Sequence, residues 1–96
     1  MLVLVTYDVN TSSAAGQKRL RKVAKLCERY GLRVQNSVFE VLVDAAQLAV
    51  LKSDLSVVID HGQDSVRFYR LGNNYQNRIS SMGRTGLVQT GEPLLL

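Results

Sequence analysis

The stretch that most constrains the fold runs Leu2-Val-Leu-Val-Thr-Tyr-Asp8: apolar and β-branched or aromatic up to a single terminal carboxylate. It is too short for a buried helix and has the residue types of a strand, so it is expected to be a central strand with both faces covered. Asp8 would then stand at the rigid carboxyl end of that strand, where an ionised group can reach water or a metal. On the residues alone two roles are open to it. One is metal binding; the other is capping the start of the following helix together with Asn10 to Ser13.

The remaining chain alternates helix and strand signals. Asn10 to Gly16 is a polar turn that offers an N-cap at Ser12 or Ser13. Leu20, Val23, Ala24 and Cys27 then recur at helical spacing and predict a helix to about Tyr30, with Gly31 as its left-handed C-terminal cap. Lys18, Lys22, Lys25 and Arg29 fall within about 60° of arc opposite that apolar stripe, flanked by Arg21. Leu32 to Gln35 and Val38 to Val43 read as two short strands joined at Asn36-Ser37. Asp44 ends the second and caps a helix from Ala45 to about Val57, which buries Leu48, Leu51, Leu55 and Val58. His61 to Asp64 is a turn, His61 a surface residue, and Ser65 to Leu71 a fourth strand.

Strand, helix, strand, strand, helix, strand is the order of an α+β, ferredoxin-like βαββαβ domain with an antiparallel sheet. Ninety-six residues make one domain, with a core over about 1–72 and an extension over about 73–96. Within that extension Gly72 to Gly83 reads as loop or a single helical turn. Thr85 to Gly91 reads as a short strand that needs an edge, which a partner chain would supply; the alternative is a partly disordered tail.

Charge is unevenly placed. The net charge is +4, yet residues 1–36 carry seven basic side chains against Asp8 and Glu28, while residues 37–64 carry Lys52 against five carboxylates. A basic face on one helix suits a polyanion better than it suits mere solubility, where signs normally mix. Contact with phosphates through Arg19, Arg21, Lys22, Lys25 and Arg33 would bind duplex nucleic acid without sequence choice. Phe39 and Tyr69 are expected in the core rather than as stacking platforms. Cys27, the single cysteine, excludes an internal disulfide and is expected to be a buried hydrophobe. With no apolar run of membrane length and no signal-peptide pattern, the expectation is a cytoplasmic protein that does not enter a membrane.

Four stretches carry a resemblance. VTYDV at 5–9, RLRKVAKLCERYGLRVQ at 19–35, SVFE at 37–40 and DSVRFYRLG at 64–72 together resemble the small CRISPR-associated adaptation protein, the Cas-two family. The resemblance implies a homodimer whose final strand joins the partner's sheet. It implies that two Asp8 carboxylates hold a divalent ion, Mg2+ or another such as Mn2+, and that the CRISPR integrase is a partner in spacer acquisition. The matching site positions are Tyr7, Asp8, Ser37 and Phe39, with Arg19, Arg21 or Lys22, and Arg33. Family members are described as endonucleases on RNA or DNA and also as non-catalytic scaffolds. Two other classes compete: a toxin-type, VapD-like ribonuclease of the same fold, and a ligand-binding regulatory dimer, which would leave the basic excess unexplained.

Overall fold

A computed structural model describes residues 1–83. The chain runs β1 (Leu2–Asp8), α1 (Ala14–Glu28), β2 (Gly31–Gln35), β3 (Val38–Leu42), α2 (Ala45–Val58) and β4 (Ser65–Gly72), followed by a 3-10 turn over Tyr75–Arg78. The four strands form one antiparallel sheet in the order β2-β3-β1-β4. This is the expected ferredoxin-like architecture, with β1 central. The expected strand over Thr85 to Gly91 lies outside the described residues.

Strand alternation sorts β1 into two sides. Val3, Val5 and Tyr7 point into a core shared with Val23, Ala24 and Cys27 of α1, Phe39 and Val41 of β3, and Leu48, Leu51 and Leu55 of α2. Leu4, Thr6 and Asp8 point the other way. On that side Leu4 and Thr6 are half-buried, while Leu32, Leu42 and Tyr69 are exposed at 37%, 53% and 44%. β1 is therefore covered on one face, not both: the two helices fill only the core side, and the second face of the sheet is open among the described residues. Apolar side chains on both sides make a run that looks doubly buried in one dimension.

Local chemistry fixes the ends of the elements. Ser13 caps α1 by accepting from the Gly16 amide, and Asp44 caps α2 in a reciprocal capping box with Gln47. Gly31 does not play the expected part of a left-handed helix cap. α1 ends at Glu28 with Arg29 in right-handed geometry, and Gly31 opens β2 at a place where a Cβ would collide with the backbone of Glu40 and Val41. Its small size, not a positive φ, is what lets β2 close on β3. No described helix is long and apolar enough to cross a membrane.

Candidate active site

Antiparallel pairing brings the end of β1, the β2–β3 turn and the start of β4 together. Asp8 lies opposite Ser65, Thr6 lies between Val38 and Arg67, and the Tyr7 amide donates to the Ser37 carbonyl at 2.9 Å. Asp8 is exposed. Among the described residues no hydrogen bond or ion pair engages its carboxylate, and helix capping is done instead by Ser13, with Asn10 accepting from the amide and hydroxyl of Ser12. The capping role considered for Asp8 is thus already filled.

Asp8 forms a ridge between two hollows. On the helix side a hollow of about 550 Å³ is lined by Tyr7, Asp8, Gln17, Arg21, Arg33 and Ser37, among others. On the open-sheet side a hollow of about 330 Å³ is lined by Thr6, Asp8, Ser37, Ser65, Arg67 and Tyr69 with their neighbours. The first gathers five of the residues picked out in the sequence: Tyr7, Asp8, Arg21, Arg33 and Ser37. Arg33 is held in place there. Its Nε and Nη2 donate to the Asn36 carbonyl at 2.8 and 2.6 Å, and its guanidinium lies 5.8 Å from the centre of the Phe39 ring.

The other expected site residues sit elsewhere. Phe39 is fully buried, so it supports Arg33 from beneath and presents no face of its own. The core placement expected for Phe39 holds, whereas Tyr69 is 44% exposed on the open face. Lys22 and Lys25 are exposed on α1, outside both hollows. Arg19 is turned inward. Its Nε lies 2.8 Å from Asp64 Oδ2 and its Nη2 lies 3.2 Å from Oδ1, the one ion pair among the described residues.

Asp64, read in the sequence only as part of a turn, is the hub of this end of the molecule. Its side chain is fully enclosed and accepts from Arg19, from the Tyr7 hydroxyl at 2.5 Å and from the Asp60 amide at 3.0 Å. Burial alone would raise its pKa; the donated hydrogen bonds of Arg19, Tyr7 and Asp60 outweigh that and hold the carboxyl below its ordinary value. Burial and the bond to Asp64 push the Tyr7 hydroxyl up to about 12, so it stays protonated and donating. Tyr7 is 2% exposed, which makes it a strut beneath the strand end rather than a proton carrier. Cys27, fully buried, has its thiol pushed up to about 12 by burial, in keeping with an inert core residue.

A divalent ion fits one side of this site. Magnesium takes one or two carboxylates and fills the remaining positions with waters and substrate phosphate, and Asp8 offers an unengaged carboxylate beside room for both. No cluster of three potential metal ligands exists among the described residues.

The sequence-family comparison decides the grouping. The family model for CRISPR associated protein Cas2 matches residues 1–79. This chain belongs to the Cas2 family. A relative in Halalkalibacterium halodurans, called CRISPR-associated endonuclease Cas2, is 56% identical over 95 residues, covering 99% of each chain. Another, from Rhodospirillum rubrum and called CRISPR-associated endoribonuclease Cas2 3, is 52% identical over 99% of this chain and 100% of its own. The crystal structure of Streptococcus pyogenes Cas2 at pH 6.5 is 58% identical and superposes with a TM-score of 0.82, covering 86% of this chain and 100% of that one. Cas2 membership thus agrees with the resemblance carried by Tyr7-Asp8, Arg33 and the Ser37 to Glu40 segment.

Proposed function

We propose that this Cas2-family chain is a homodimeric, divalent-ion-dependent endonuclease that binds nucleic acid without sequence choice and works with the CRISPR integrase in spacer acquisition. The observation that carries the reading is the unengaged Asp8 carboxylate on a ridge between two arginine-bearing hollows. The names of the relatives support phosphodiester cleavage, on DNA or RNA. Membership of the family favours this reading over a toxin-type ribonuclease.

Each residue has a task that follows from its surroundings. Asp8, with its copy in a second chain, holds Mg2+ or Mn2+. When bound, that ion neutralises phosphate charge and makes a water nucleophilic near neutral pH. Arg21 and Arg33 hold the phosphate on the helix side; Arg33 is pre-set by Asn36 and Phe39 and loses little freedom on binding. Lys22 and Lys25 add backbone affinity for the duplex along α1. A second chain on the open sheet face would cover Leu32 and Leu42, whose exposure is otherwise a cost.

The test is a cleavage assay on labelled duplex DNA and single-stranded RNA, with Mg2+, Mn2+ or EDTA, using the native chain and Asp8→Asn. Ion-dependent cleavage that disappears in Asp8→Asn is the expected result. Cleavage that survives the substitution removes Asp8 from the mechanism. A monomer mass by light scattering removes the shared carboxylate pair.

A further inference from the structure

The helix-side hollow holds more positive charge than a strand passing through it would use. Arg21 and Arg33 both line it, and neither forms an ion pair among the described residues. Arg33 commits Nε and Nη2 to the Asn36 carbonyl, and no hydrogen bond among the described residues engages its Nη1. Arg21 is exposed on α1. Gln17 donates through Nε2 to the Thr11 carbonyl at 2.9 Å and so clamps the β1–α1 loop onto the helix. The hollow is thereby walled on three sides, by the first turns of α1, by this loop and by the β2–β3 turn. At about 550 Å³ it lies inside the range of ligand sites, about 300–1,000 Å³. Its α1 wall stands on the core side of the sheet, so a second chain on the open face leaves that wall uncovered.

Charge selects the ligand. A phosphodiester within a strand carries a single negative charge and a pair of non-bridging oxygens, which one guanidinium satisfies through two parallel donors. The second guanidinium is then left over. A phosphate monoester at a strand end carries about −1.5 to −2 at pH 7 and three terminal oxygens, which match two guanidiniums in charge and in acceptors. The three walls point the same way, since a strand end needs one opening and a continuous strand needs two. Hydrolysis makes such an end. One P–O bond forms to water and one breaks; the departing oxygen leaves as an alcohol with one of the water's protons, the other proton goes to solvent, and the phosphorus side becomes a monoester.

We propose that the hollow between Arg21 and Arg33 is a terminal-phosphate site, which takes the phosphate monoester at the end of a nucleic-acid strand in preference to a phosphodiester. This deepens the nuclease reading and rests on it. Arg33, preset by Asn36 and Phe39, fixes the direction of approach, and Arg21 supplies the second charge from α1. The site holds a cleaved end more tightly than the uncut strand, so release of that end slows turnover. Ends already present compete with internal positions for the same hollow.

The experiment is fluorescence anisotropy at about pH 7.5, where the monoester is nearly fully ionised, in EDTA so that no cleavage intervenes. The probe is one internally labelled DNA duplex made with 5′-phosphate, 3′-phosphate or only hydroxyl ends. It compares the native full chain, Arg21→Gln, Arg33→Gln and a variant with Lys22 and Lys25 both changed to Gln. The native chain should bind one of the phosphate-ended duplexes about 10-fold more tightly than the hydroxyl-ended one, the worth of one further charge-assisted hydrogen bond, and the preferred probe identifies the end. Arg21→Gln, a change at an exposed position, should cut that preference to about 2-fold or less, and Arg33→Gln should do the same. The lysine variant should weaken all three probes by the same factor and keep the preference. Equal affinity of the native chain for the three duplexes overturns the proposal and leaves the Asp8 reading to its own cleavage assay. A preference that survives both arginine variants overturns it too, as does one that the lysine variant loses as fully as Arg21→Gln. If the native chain binds no duplex, the site and the general nucleic-acid reading both fall.

Discussion

Asp8 and Asp64 stand at the same end of the sheet, the first exposed and without a partner among the described residues, the second enclosed by Arg19, Tyr7 and Asp60. Their difference separates two uses of one functional group. Asp64 spends its acceptor capacity inside the molecule, where it ties β1, α1 and the α2–β4 turn together. Asp8 keeps its capacity unspent, and Tyr7, the residue beside it, is the part that Asp64 holds still. A carboxylate can be left open because its neighbour is locked.

Substitutions should therefore split cleanly between the two. On the proposed reading, Asp8→Asn is expected to lower ion-dependent cleavage by about a hundredfold or more, since the proposed ion would lose its protein ligand, and to leave the melting temperature essentially unchanged. An enzyme of near-native activity would break the contrast. Asp64→Ala should act in the opposite sense, costing about 2–3 kcal/mol in urea unfolding because several desolvated donors lose their acceptor, with metal affinity measured by calorimetry falling only through the looser strand end. Equal stability would mean that the hub does not tie the elements together.

Acid sharpens the contrast further. Asp64 is held below its ordinary carboxyl value of 3.8, so the stability it contributes is present above about pH 4 and is lost as pH falls through its folded value. Glu40, half-buried on the open face, is raised above 4.5 by burial; its contribution has the other sign and is lost as pH rises. Urea midpoints compared between pH 6 and pH 3 should drop less in Asp64→Asn than in the native chain, whereas Glu40→Gln should gain stability selectively at pH 6. Smallest of all, Arg19→Lys keeps the charge but forfeits the two-pronged geometry, and should lower the melting temperature less than Asp64→Ala does. A larger drop would shift the importance of the pair from Asp64 to Arg19.

The elements were legible in the sequence because each carries its own periodicity and end signals: the β1 run, the Leu20 to Cys27 stripe, Ser13 and Asp44 as caps. Asp64 was not, because its partners Tyr7 and Arg19 lie 57 and 45 residues away and only strand register brings them near. The open sheet face was misread for a related reason: Leu4 and Val5 are equally apolar, and nothing local says which one the helices cover. For Arg67 and Tyr69 a usable signal did exist. Val66 and Phe68 alternate with them, so assigning that pair to the core puts Arg67 and Tyr69 on the side of Asp8. Gly31 shows the converse limit, since a glycine after a helix fits either a left-handed cap or a close strand crossing.

The alternation of β1 has one more consequence, for how this site can change over time. Tyr7 and Asp8 are consecutive yet serve opposite faces of the sheet, so losing or gaining one residue upstream of them would drive the carboxylate into the core and the phenol out of it. Substitution can tune this strand end; insertion or deletion within Leu2–Asp8 cannot. Length variation among chains of this design should therefore collect in the loops, where no two-residue frame has to be kept.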